Sequence, residues 1–256
     1  MTKSKTIVLV HGMFVNNNSW SEWESYLQQK GFTVYAPPNP GHEGDPYRLR
    51  KNLHYELVNT GFVDVVTKIA RFIDRLPEKP LVIGHSMAGL AVQKLLDLDK
   101  VYAAVSISGA PPKNVLPPLS TVKTIWPAVN FFTLKKYYLG SRDWYNKAFF
   151  NTLPRTEQDK AYNLVAVTES RKTIRETLLK SFSNVNFKKP HQPILFIGGG
   201  KDAIFPPELT KKIAHKYQDP NSKTDVKIFD DKSHFICGEK GWQDVADYIL
   251  DWYENL

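Results

Sequence analysis

The sequence predicts an α/β fold: a doubly wound, mostly parallel sheet of about six strands with an inserted, mainly helical lid. Two observations lead to this class. Short, β-rich, apolar runs alternate with amphipathic helical periods up to residue 107 and again after residue 192. Uniformly apolar runs are typical of strands buried on both faces, and parallel strands need right-handed helical crossovers that cover both faces of the sheet.

The individual elements follow from local signals. Thr6 to Val10 is the first apolar run, and Ser19 with Glu22 three residues later has the spacing of a capping box that begins a helix. The predicted strands are residues 6–10, 32–36, 80–83, 101–107, 193–197 and 225–229. The predicted helices are residues 19–30, 62–76, 87–98, 207–217 and 241–253. Residues 48–60 fit neither pattern.

The alternation stops between residues 112 and 187. Prolines stand at 111, 112, 117 and 118, aromatic residues come in pairs, and the sequence turns helical only from Thr156. This is not the pattern of another strand–helix unit. We therefore expect residues 1–111 and 188–256 to form the core domain, with residues 112–187 inserted as a lid.

The composition limits the class of protein. Of 256 residues, 42% are apolar and 23% are charged, which is ordinary for a globular protein. The one cysteine, Cys237, cannot form an internal disulfide, and no histidine pair has metal-ligand spacing, so we expect no metal and no other cofactor. No apolar run reaches 18 residues and no signal peptide is visible, which predicts no integral membrane segment and leaves the cytoplasm as the default compartment.

The net charge of +8 is concentrated in one part of the chain. Between Lys113 and Lys189 there are 14 Lys and Arg residues against 5 Asp and Glu, whereas the rest of the chain holds 20 against 21. This excess could attract an anionic substrate or an anionic lipid surface, although a solvated basic surface is the plainer interpretation. The basic residues are scattered and no nucleic-acid-binding motif accompanies them, so nucleic acid is not an expected partner. The sequence carries no prediction of oligomeric state.

The candidate nucleophile lies in the segment Gly84-His85-Ser86-Met87-Ala88-Gly89. It joins an apolar strand to a helix within three residues, and a serine at such a junction sits on a strained turn that exposes its hydroxyl. Small neighbours are needed because the two backbones approach closely; glycine stands two residues before Ser86, whereas alanine stands two residues after it. We predict a nucleophile rather than a simple helix cap at Ser86, because partners for it follow downstream.

The helix after Ser86 can stabilise negative charge. Its first amide, that of Met87, points towards a developing oxyanion, and the partial positive charge of the helix N-terminus adds to this effect. The loop His11-Gly12-Met13 follows the first strand, where a second donor is needed. We therefore predict an oxyanion hole formed by the amides of Met13 and Met87, whose side chains line the pocket.

A serine hydroxyl needs a base, and His234 is the predicted one. It follows the last strand, at the carboxyl edge where open α/β sheets build their sites. Asp202 follows the penultimate strand and is the predicted carboxylate that holds the tautomer of His234. Asp230 and Asp231 are nearer to His234 in sequence and are the alternatives, but Asp202 gives the chain order Ser, Asp, His expected when the serine stands on such a turn.

Over essentially its full length the chain resembles the α/β-hydrolase superfamily, as a serine esterase- or lipase-like member. The residues that carry the resemblance are His11-Gly12, Gly41-His42-Glu43-Gly44, Gly84 to Gly89, Asp202 with Pro206-Pro207, and Ser233-His234-Phe235. The resemblance implies a lid inserted after the sixth strand of the family's sheet. It also implies that the first two strands of the family are absent, since the chain starts at the strand before the oxyanion loop.

The substrate is predicted from the apolar character of the lid and of the oxyanion loop. Hydrolase pockets are mostly apolar, and the residues expected to bind substrate are Gly12, Phe14, Trp126, Phe131, Tyr137, Trp144 and Phe149. Some of the lid aromatics could instead form the lid's own core. We expect hydrolysis of a small or medium-chain carboxylic ester through an acyl-enzyme.

The same three residues also serve related reactions. Lysophospholipase or monoacylglycerol lipase activity, amide hydrolysis, carbon–carbon bond hydrolysis and cyanohydrin cleavage stay open, and the basic lid slightly favours an anionic or phospholipid-like substrate. The alternative that is not an enzyme is a receptor that holds a small apolar ligand under the lid.

Overall fold

The computed structural model describes residues 3–256. The strands are β1 (Thr6–Val10), β2 (Thr33–Tyr35), β3 (Leu81–His85), β4 (Ala103–Ile107), β5 (Tyr137–Tyr138), β6 (Glu169–Ser170), β7 (Ile194–Gly199) and β8 (Thr224–Phe229). Six of them form one sheet in the order β2-β1-β3-β4-β7-β8, and every neighbouring pair in it is parallel. The predicted doubly wound sheet of six strands is therefore confirmed.

The helices alternate with these strands as the sequence predicts for the core. They are α1 (Ser21–Gln29), α2 (Pro46–Lys51), α3 (Phe62–Ile73), α4 (Met87–Asp97), α5 (Leu119–Val129), α6 (Arg142–Ala148), α7 (Arg155–Val165), α8 (Arg171–Leu179), α9 (Pro207–Ala214) and α10 (Trp242–Glu254). Short 3₁₀ turns cover Asn17–Trp20, Leu57–Asn59 and Ser181–Ser183.

Alternate residues of β1 show how the sheet is buried on both sides. Val8 and Val10 belong to one apolar cluster, Ile7 and Leu9 belong to another, and all four are fully buried. Because side chains alternate between the faces of a strand, only a uniformly apolar run can serve both clusters. Helices α3, α4 and α9 contribute to the first cluster, and α1 and α10 contribute to the second.

The topology of the sheet decides where a site can form. From β1 the chain turns to β2 on one side and then crosses to β3 on the other, so the strand order reverses at β1. Ligands of open α/β sheets bind outside the carboxyl ends of the strands at such a reversal. The loops that follow β1, β3, β7 and β8 all leave from this edge.

The start of α1 differs from the prediction. The helix begins at Ser21 rather than Ser19, because Asn16 caps the preceding 3₁₀ turn and its Oδ1 atom accepts from the Asn18 amide at 3.2 Å. The Ser19 hydroxyl donates to the Asn16 carbonyl at 2.7 Å, so the capping box predicted for Ser19 and Glu22 does not form.

Residues 48–60, which fit neither period, contain the end of α2 and a 3₁₀ turn. Asp45 caps α2 by accepting from the Arg48 amide at 3.0 Å. With six residues, α2 is too short to show a helical period in its sequence.

The connection from β4 to β7 contains residues 112–187, which we call the inserted segment, and adds no strand to the main sheet. It forms α5, α6, α7 and α8, and its strands β5 and β6 pair antiparallel with each other. The sequence predicts helix only from Thr156, so α5 and α6 are additions: Pro127 lies inside α5, and α6 has only seven residues. No helix within residues 3–256 is long and apolar enough to span a bilayer.

Candidate active site

Ser86 stands on a tight turn between β3 and α4. Its backbone angles are φ 59° and ψ −123°, which residues other than glycine rarely adopt. The surrounding backbone holds it there: the Ser86 amide donates to the Ile107 carbonyl at 2.9 Å. The Ser86 carbonyl accepts from the amides of Gly89 at 2.8 Å and Ala110 at 2.9 Å. The turn therefore presents the Ser86 hydroxyl at the N-terminus of α4.

Crowding around the turn explains its small residues. A Cβ atom added at Gly84 would lie 2.3 Å from the Ala88 carbonyl oxygen, and one added at Gly89 would lie 2.5 Å from the Gly109 Cα atom. Neither position can hold a side chain unless the helix moves against the sheet. The methyl group of Ala88 is fully buried in the apolar cluster, so alanine two residues after the serine is compatible with the turn.

Three polar side chains form a hydrogen-bonded chain at the carboxyl edge of the sheet. The His234 Nε2 atom lies 3.0 Å from the Ser86 Oγ atom, and its Nδ1 atom lies 2.8 Å from the Asp202 Oδ2 atom. The other Asp202 oxygen accepts from the amides of Ile204 and Phe205, each at 2.8 Å. All three side chains are buried. A carboxylate in this position can hold the imidazole with Nδ1 protonated, which leaves Nε2 free to take a proton from the serine.

Asp230 and Asp231, the alternative carboxylates, are both exposed. Asp231 forms an ion pair with Lys232 at 3.2 Å. The carboxylate that lies within hydrogen-bonding distance of His234 is that of Asp202.

Buried rings surround His234 and restrict its position. The His85 Nε2 atom lies 2.8 Å from the His234 carbonyl oxygen, which requires a proton on that nitrogen. Burial, and secondarily the nearby His234, lower the pKa of His85 to about 3, so His85 is a neutral donor near pH 7. The rings of Phe149 and Phe205 lie at centroid distances of 4.9 and 5.5 Å from the His234 imidazole.

The loop after β1 lies directly against the serine. A Cβ atom added at Gly12 would lie 2.7 Å from the Ser86 Cβ atom and 3.3 Å from its Oγ atom, so this position requires glycine. Met13 follows and lines the same cavity as Ser86 and Met87. The Met87 amide is the first of α4, where no preceding helical turn supplies an acceptor. The two residues assigned from the sequence to an oxyanion hole thus flank the serine.

His11 supports this loop. Its Nε2 atom accepts from the Asn39 amide at 3.0 Å, so its proton stands on Nδ1, which donates to the Gly12 carbonyl at 2.8 Å. Burial, and secondarily the nearby His42, lower the pKa of His11 to about 3. A neutral imidazole therefore holds the glycine that contacts Ser86.

The inserted segment holds the other end of the same loop. Phe14 has φ 69°, and its carbonyl accepts from the Tyr145 hydroxyl at 2.6 Å and from the Val167 amide at 3.0 Å. Nearby, the buried Glu169 carboxylate lies 3.5 Å from the His42 Nε2 atom, and burial raises the pKa of Glu169. Sequence reasoning misses Tyr145 and Glu169, because neither lies in a local motif and their partners are distant in the chain.

An apolar cavity of about 50 Å³ lies beside the Ser86 hydroxyl. The core lines it with Met13, Phe14, Ser86, Met87, Ala110, Pro111, Ile204 and Phe205, and the inserted segment lines it with Pro117, Thr121, Ile125, Trp144, Phe149, Ile174, Thr177 and Leu178. Phe14, Trp144 and Phe149, for which the sequence predicts substrate contacts, are among the residues that line this cavity. The aliphatic residues of α5 and α8 were missed, although the spacing of Ile174 and Leu178 marks one helical face.

The sequence also predicts substrate contacts for Trp126, Phe131 and Tyr137, and for these three residues this stays a prediction. None of the three lines the cavity, and they are 43%, 45% and 43% exposed. Thr121 and Ile125 occupy the face of α5 towards the cavity, so Trp126, one residue further, is rotated about 100° away from it. Phe131 lies in the loop after α5 and Tyr137 lies in β5, both at the surface.

Every side chain that lines the cavity is uncharged. The Thr121 hydroxyl donates to the Ile204 carbonyl at 2.6 Å, and the Thr177 hydroxyl donates to the Ile174 carbonyl at 2.7 Å, so both donors are already engaged. A charged group would lose its hydration here without gaining a partner. The cavity is therefore suited to an apolar group next to the atom that reacts with Ser86.

Cys237 is the candidate for a second nucleophile in the part of the chain that the structure describes. Cys237 is buried in the core, and burial raises the pKa of its thiol well above the ordinary value, which disfavours the reactive thiolate. Within residues 3–256, no group of three or more His, Cys, Asp or Glu side chains is placed to hold a metal ion.

The buried imidazoles predict a loss of stability in acid. The pKa values of His11 and His85 fall from 6.5 to about 3 on folding, so the unfolded chain binds more protons between these limits and stability decreases as the pH falls through that window. Each histidine contributes at most about 1.4 kcal/mol per pH unit. We expect urea unfolding to give a clearly lower free energy of unfolding at pH 5 than at pH 7.

The variant His85→Gln keeps a donor for the His234 carbonyl and should weaken this pH dependence. Burial raises the pKa of Glu169, which offsets part of the effect because its protonation in acid favours the folded state. Equal stability of the native chain at pH 5 and pH 7 would contradict the assignment of two neutral, buried histidines.

Residues 7–248 match the family model described as the alpha/beta hydrolase family. Since this match covers nearly the whole chain, the protein belongs to that family. The fold and the Ser86–His234–Asp202 arrangement agree with this membership. No curated protein is similar enough in sequence to count as a relative.

Solved structures extend the comparison. A methylesterase from Arabidopsis superposes with a TM-score of 0.72 at 16% identity, covering 98% of this chain and 99% of that one. A pyrethroid hydrolase from Sphingobium faniae JZ-2 gives 0.69 at 17% identity, covering 97% of both chains. A monoacylglycerol lipase from Paleococcus ferrophilus gives 0.65 at 20% identity, covering 99% and 96%. At these identities the similarity shows the fold alone.

Proposed function

We propose that the protein hydrolyses carboxylic esters with a short, apolar acyl group. The observation that carries this proposal is the buried hydrogen-bonded chain from Asp202 through His234 to Ser86, next to an uncharged cavity. Ser86 Oγ attacks the ester carbonyl carbon while His234 Nε2 accepts its proton, and the amides of Met13 and Met87 stabilise the oxyanion.

The remaining steps of the reaction, departure of the alcohol and hydrolysis of the acyl-enzyme, use the same groups. His234 returns the proton to the leaving alkoxide, which departs as the alcohol and leaves an acyl group on Ser86. A water molecule then attacks the acyl carbonyl carbon while His234 Nε2 accepts its proton; the bond to Ser86 Oγ breaks, the proton passes to Oγ, and the carboxylic acid leaves. Asp202 stabilises the imidazolium that forms in each half.

In this proposal the inserted segment, residues 112–187, acts as a lid that limits the size of the acyl group. Its helices α5 and α8 supply Ile125 and Leu178 to the cavity wall. The cavity is narrow between these side chains, so the proposal expects a long acyl chain to displace one of them. The lining carries no charge, which favours an apolar acyl group over an anionic one.

The names of similar structures support the choice of an ester bond. They include a methylesterase, a pyrethroid hydrolase and a monoacylglycerol lipase. These enzymes share the fold with this chain and differ in substrate. Their names therefore favour an ester as the bond that is cleaved, whereas the alcohol part of the ester has to be identified by experiment.

Labelling with a fluorophosphonate probe, followed by a panel of p-nitrophenyl esters, tests the proposal. We expect one label per chain, none on Ser86→Ala, and full labelling of the matched control Ser120→Ala, whose hydroxyl is exposed on α5. We expect kcat/KM to be highest for acetate and butyrate and to decrease for octanoate and laurate. A folded protein that never labels would favour a ligand receptor, and turnover retained in Ser86→Ala would exclude this mechanism.

A further inference from the structure

A large apolar surface remains exposed on the inserted segment. The side chains Leu134, Phe132, Leu116 and Leu119 are 100%, 89%, 78% and 78% exposed. Together with Val122, Trp126 and Phe131 they form what we call the apolar face. Scattered single apolar residues are ordinary on a surface, but a group of large side chains standing this far out of the protein indicates contact with something else.

The apolar face is continuous along α5 and the loop after it. Leu119, Val122 and Trp126 recur at intervals of three and four residues, so they share one side of the helix. The ring of Trp126 lies 6.4 Å from that of Phe132, which joins the helical stripe to the loop. Thr121 and Ile125, on another side of the same helix, line the cavity beside Ser86. One helix therefore separates the apolar face from the candidate active site.

Basic residues outnumber acidic ones around the apolar face, where the exposed Asp143 shares a surface groove with Lys123 of α5. Residues 112–142 contain five Lys and Arg residues and no Asp or Glu. Lys123 on α5 and Lys135 and Lys136 next to Leu134 are exposed. The Arg175 guanidinium lies 5.6 Å from the centre of the Phe131 ring. Basic side chains thus border the exposed aromatic and aliphatic ones.

We propose that the apolar face docks the protein on an anionic lipid bilayer. At such an interface the aromatic and aliphatic tips enter the boundary between head groups and acyl chains, while lysines contact the anionic head groups. The free energies of apolar burial and of electrostatic attraction add, and stable binding needs both. Exposed apolar side chains and basic side chains are both present within one stretch of about 30 residues. The high exposure of Phe132 and Leu134 at a loop tip suits insertion into a fluid layer.

The docked orientation brings the candidate active site close to the membrane. The width of α5, about 10 Å, would separate the lipid from the cavity that Thr121 and Ile125 line. Apolar esters concentrate in bilayers, so the protein would meet substrate where it is most abundant. Docking itself does not depend on the proposed ester hydrolysis, because binding to lipid is measured without turnover.

Co-sedimentation with vesicles tests this inference on the full chain. We expect binding to phosphatidylcholine vesicles that contain 30% phosphatidylglycerol, with weaker binding to phosphatidylcholine alone and at high salt. The double variant Phe132→Ser/Leu134→Ser should lower the partition coefficient by about tenfold or more. Lys135→Glu/Lys136→Glu should lower binding to the anionic vesicles selectively.

The matched control is Tyr55→Ser/Leu164→Ser, which removes two side chains that are 77% and 67% exposed elsewhere on the protein. It should bind vesicles like the native chain. Phe132→Ser/Leu134→Ser should keep the native melting temperature and the native turnover of a water-soluble ester. Either absence of binding to the anionic vesicles at low salt, or unchanged binding of this variant, would overturn the proposal. A dimer that this variant dissociates, without vesicle binding by the native chain, would overturn it in favour of self-association.

Discussion

Replacing Asp202 with asparagine is expected to lower kcat for a short ester by about 10³–10⁴-fold, with little change in KM. In the native chain the Asp202 Oδ2 atom lies 2.8 Å from the His234 Nδ1 atom and can only accept a hydrogen bond. An asparagine amide nitrogen in that position donates instead, so the proton of the imidazole moves to Nε2. His234 then has no lone pair directed at the Ser86 hydroxyl, which lies 3.0 Å away.

The substitution is a clean test because Asp202→Asn keeps the oxygen that accepts from the amides of Ile204 and Phe205. The loop should therefore keep its shape, which the melting temperature can verify. Asp231→Asn is the matched control: it changes the same chemical group three residues from His234, on an exposed side chain, and should leave kcat within about twofold. If Asp231→Asn inactivates the protein and Asp202→Asn does not, the assignment of the carboxylate is wrong.

Gly12→Ala is expected to lower kcat by about 10²-fold. The new methyl carbon would lie 2.7 Å from the Ser86 Cβ atom and 2.9 Å from the His85 carbonyl oxygen, well inside van der Waals contact. Both of these neighbours belong to the strained turn, which three backbone hydrogen bonds hold in place. The loop after β1 would have to move instead, which displaces the Met13 amide from the position where it would stabilise an oxyanion.

Crowding at a glycine also costs stability, so the control is a second crowded glycine that does not contact the serine. Gly198 on β7 meets this need, because a Cβ atom there would lie 2.9 Å from the Thr210 Oγ1 atom and 3.0 Å from the Ile228 Cδ1 atom. Gly198→Ala should lower the free energy of unfolding by about 1–3 kcal/mol and leave kcat unchanged. A native kcat in Gly12→Ala, or a comparable loss in Gly198→Ala, would remove the loop after β1 from the catalytic machinery.

The fold of the core could be predicted because its signals are local. A uniformly apolar run such as Thr6 to Val10 can be stable only between two apolar layers, and β1 lies between two such layers. The boundaries were less predictable: α1 begins at Ser21 because Asn16, rather than Ser19, forms the cap, and several residues in this region can serve as one.

The positions of Ser86, Asp202 and His234 could be predicted for a related reason. Each lies in the turn or loop after a strand that is recognisable on its own, and parallel strands bring their carboxyl ends to one edge of the sheet. The choice of Asp202 over Asp231 was less secure in the sequence, since proximity along the chain favours Asp231. In the structure the hydrogen bond at 2.8 Å between Asp202 and His234, and the exposure of Asp231, distinguish the two carboxylates.

The sequence by itself determined the parallel sheet, the turn at Ser86 and the strand ends that carry its partners. The tertiary structure decided what the inserted segment does with its aromatic side chains: Trp144 and Phe149 line the cavity, whereas Trp126 and Phe131 face away from it. The physical reason is that a helical period shows which residues share a face but not what that face contacts. For α5 that outcome depends on packing against distant elements, which turned Thr121 and Ile125 towards the serine and left Trp126 and the rest of the apolar face outside.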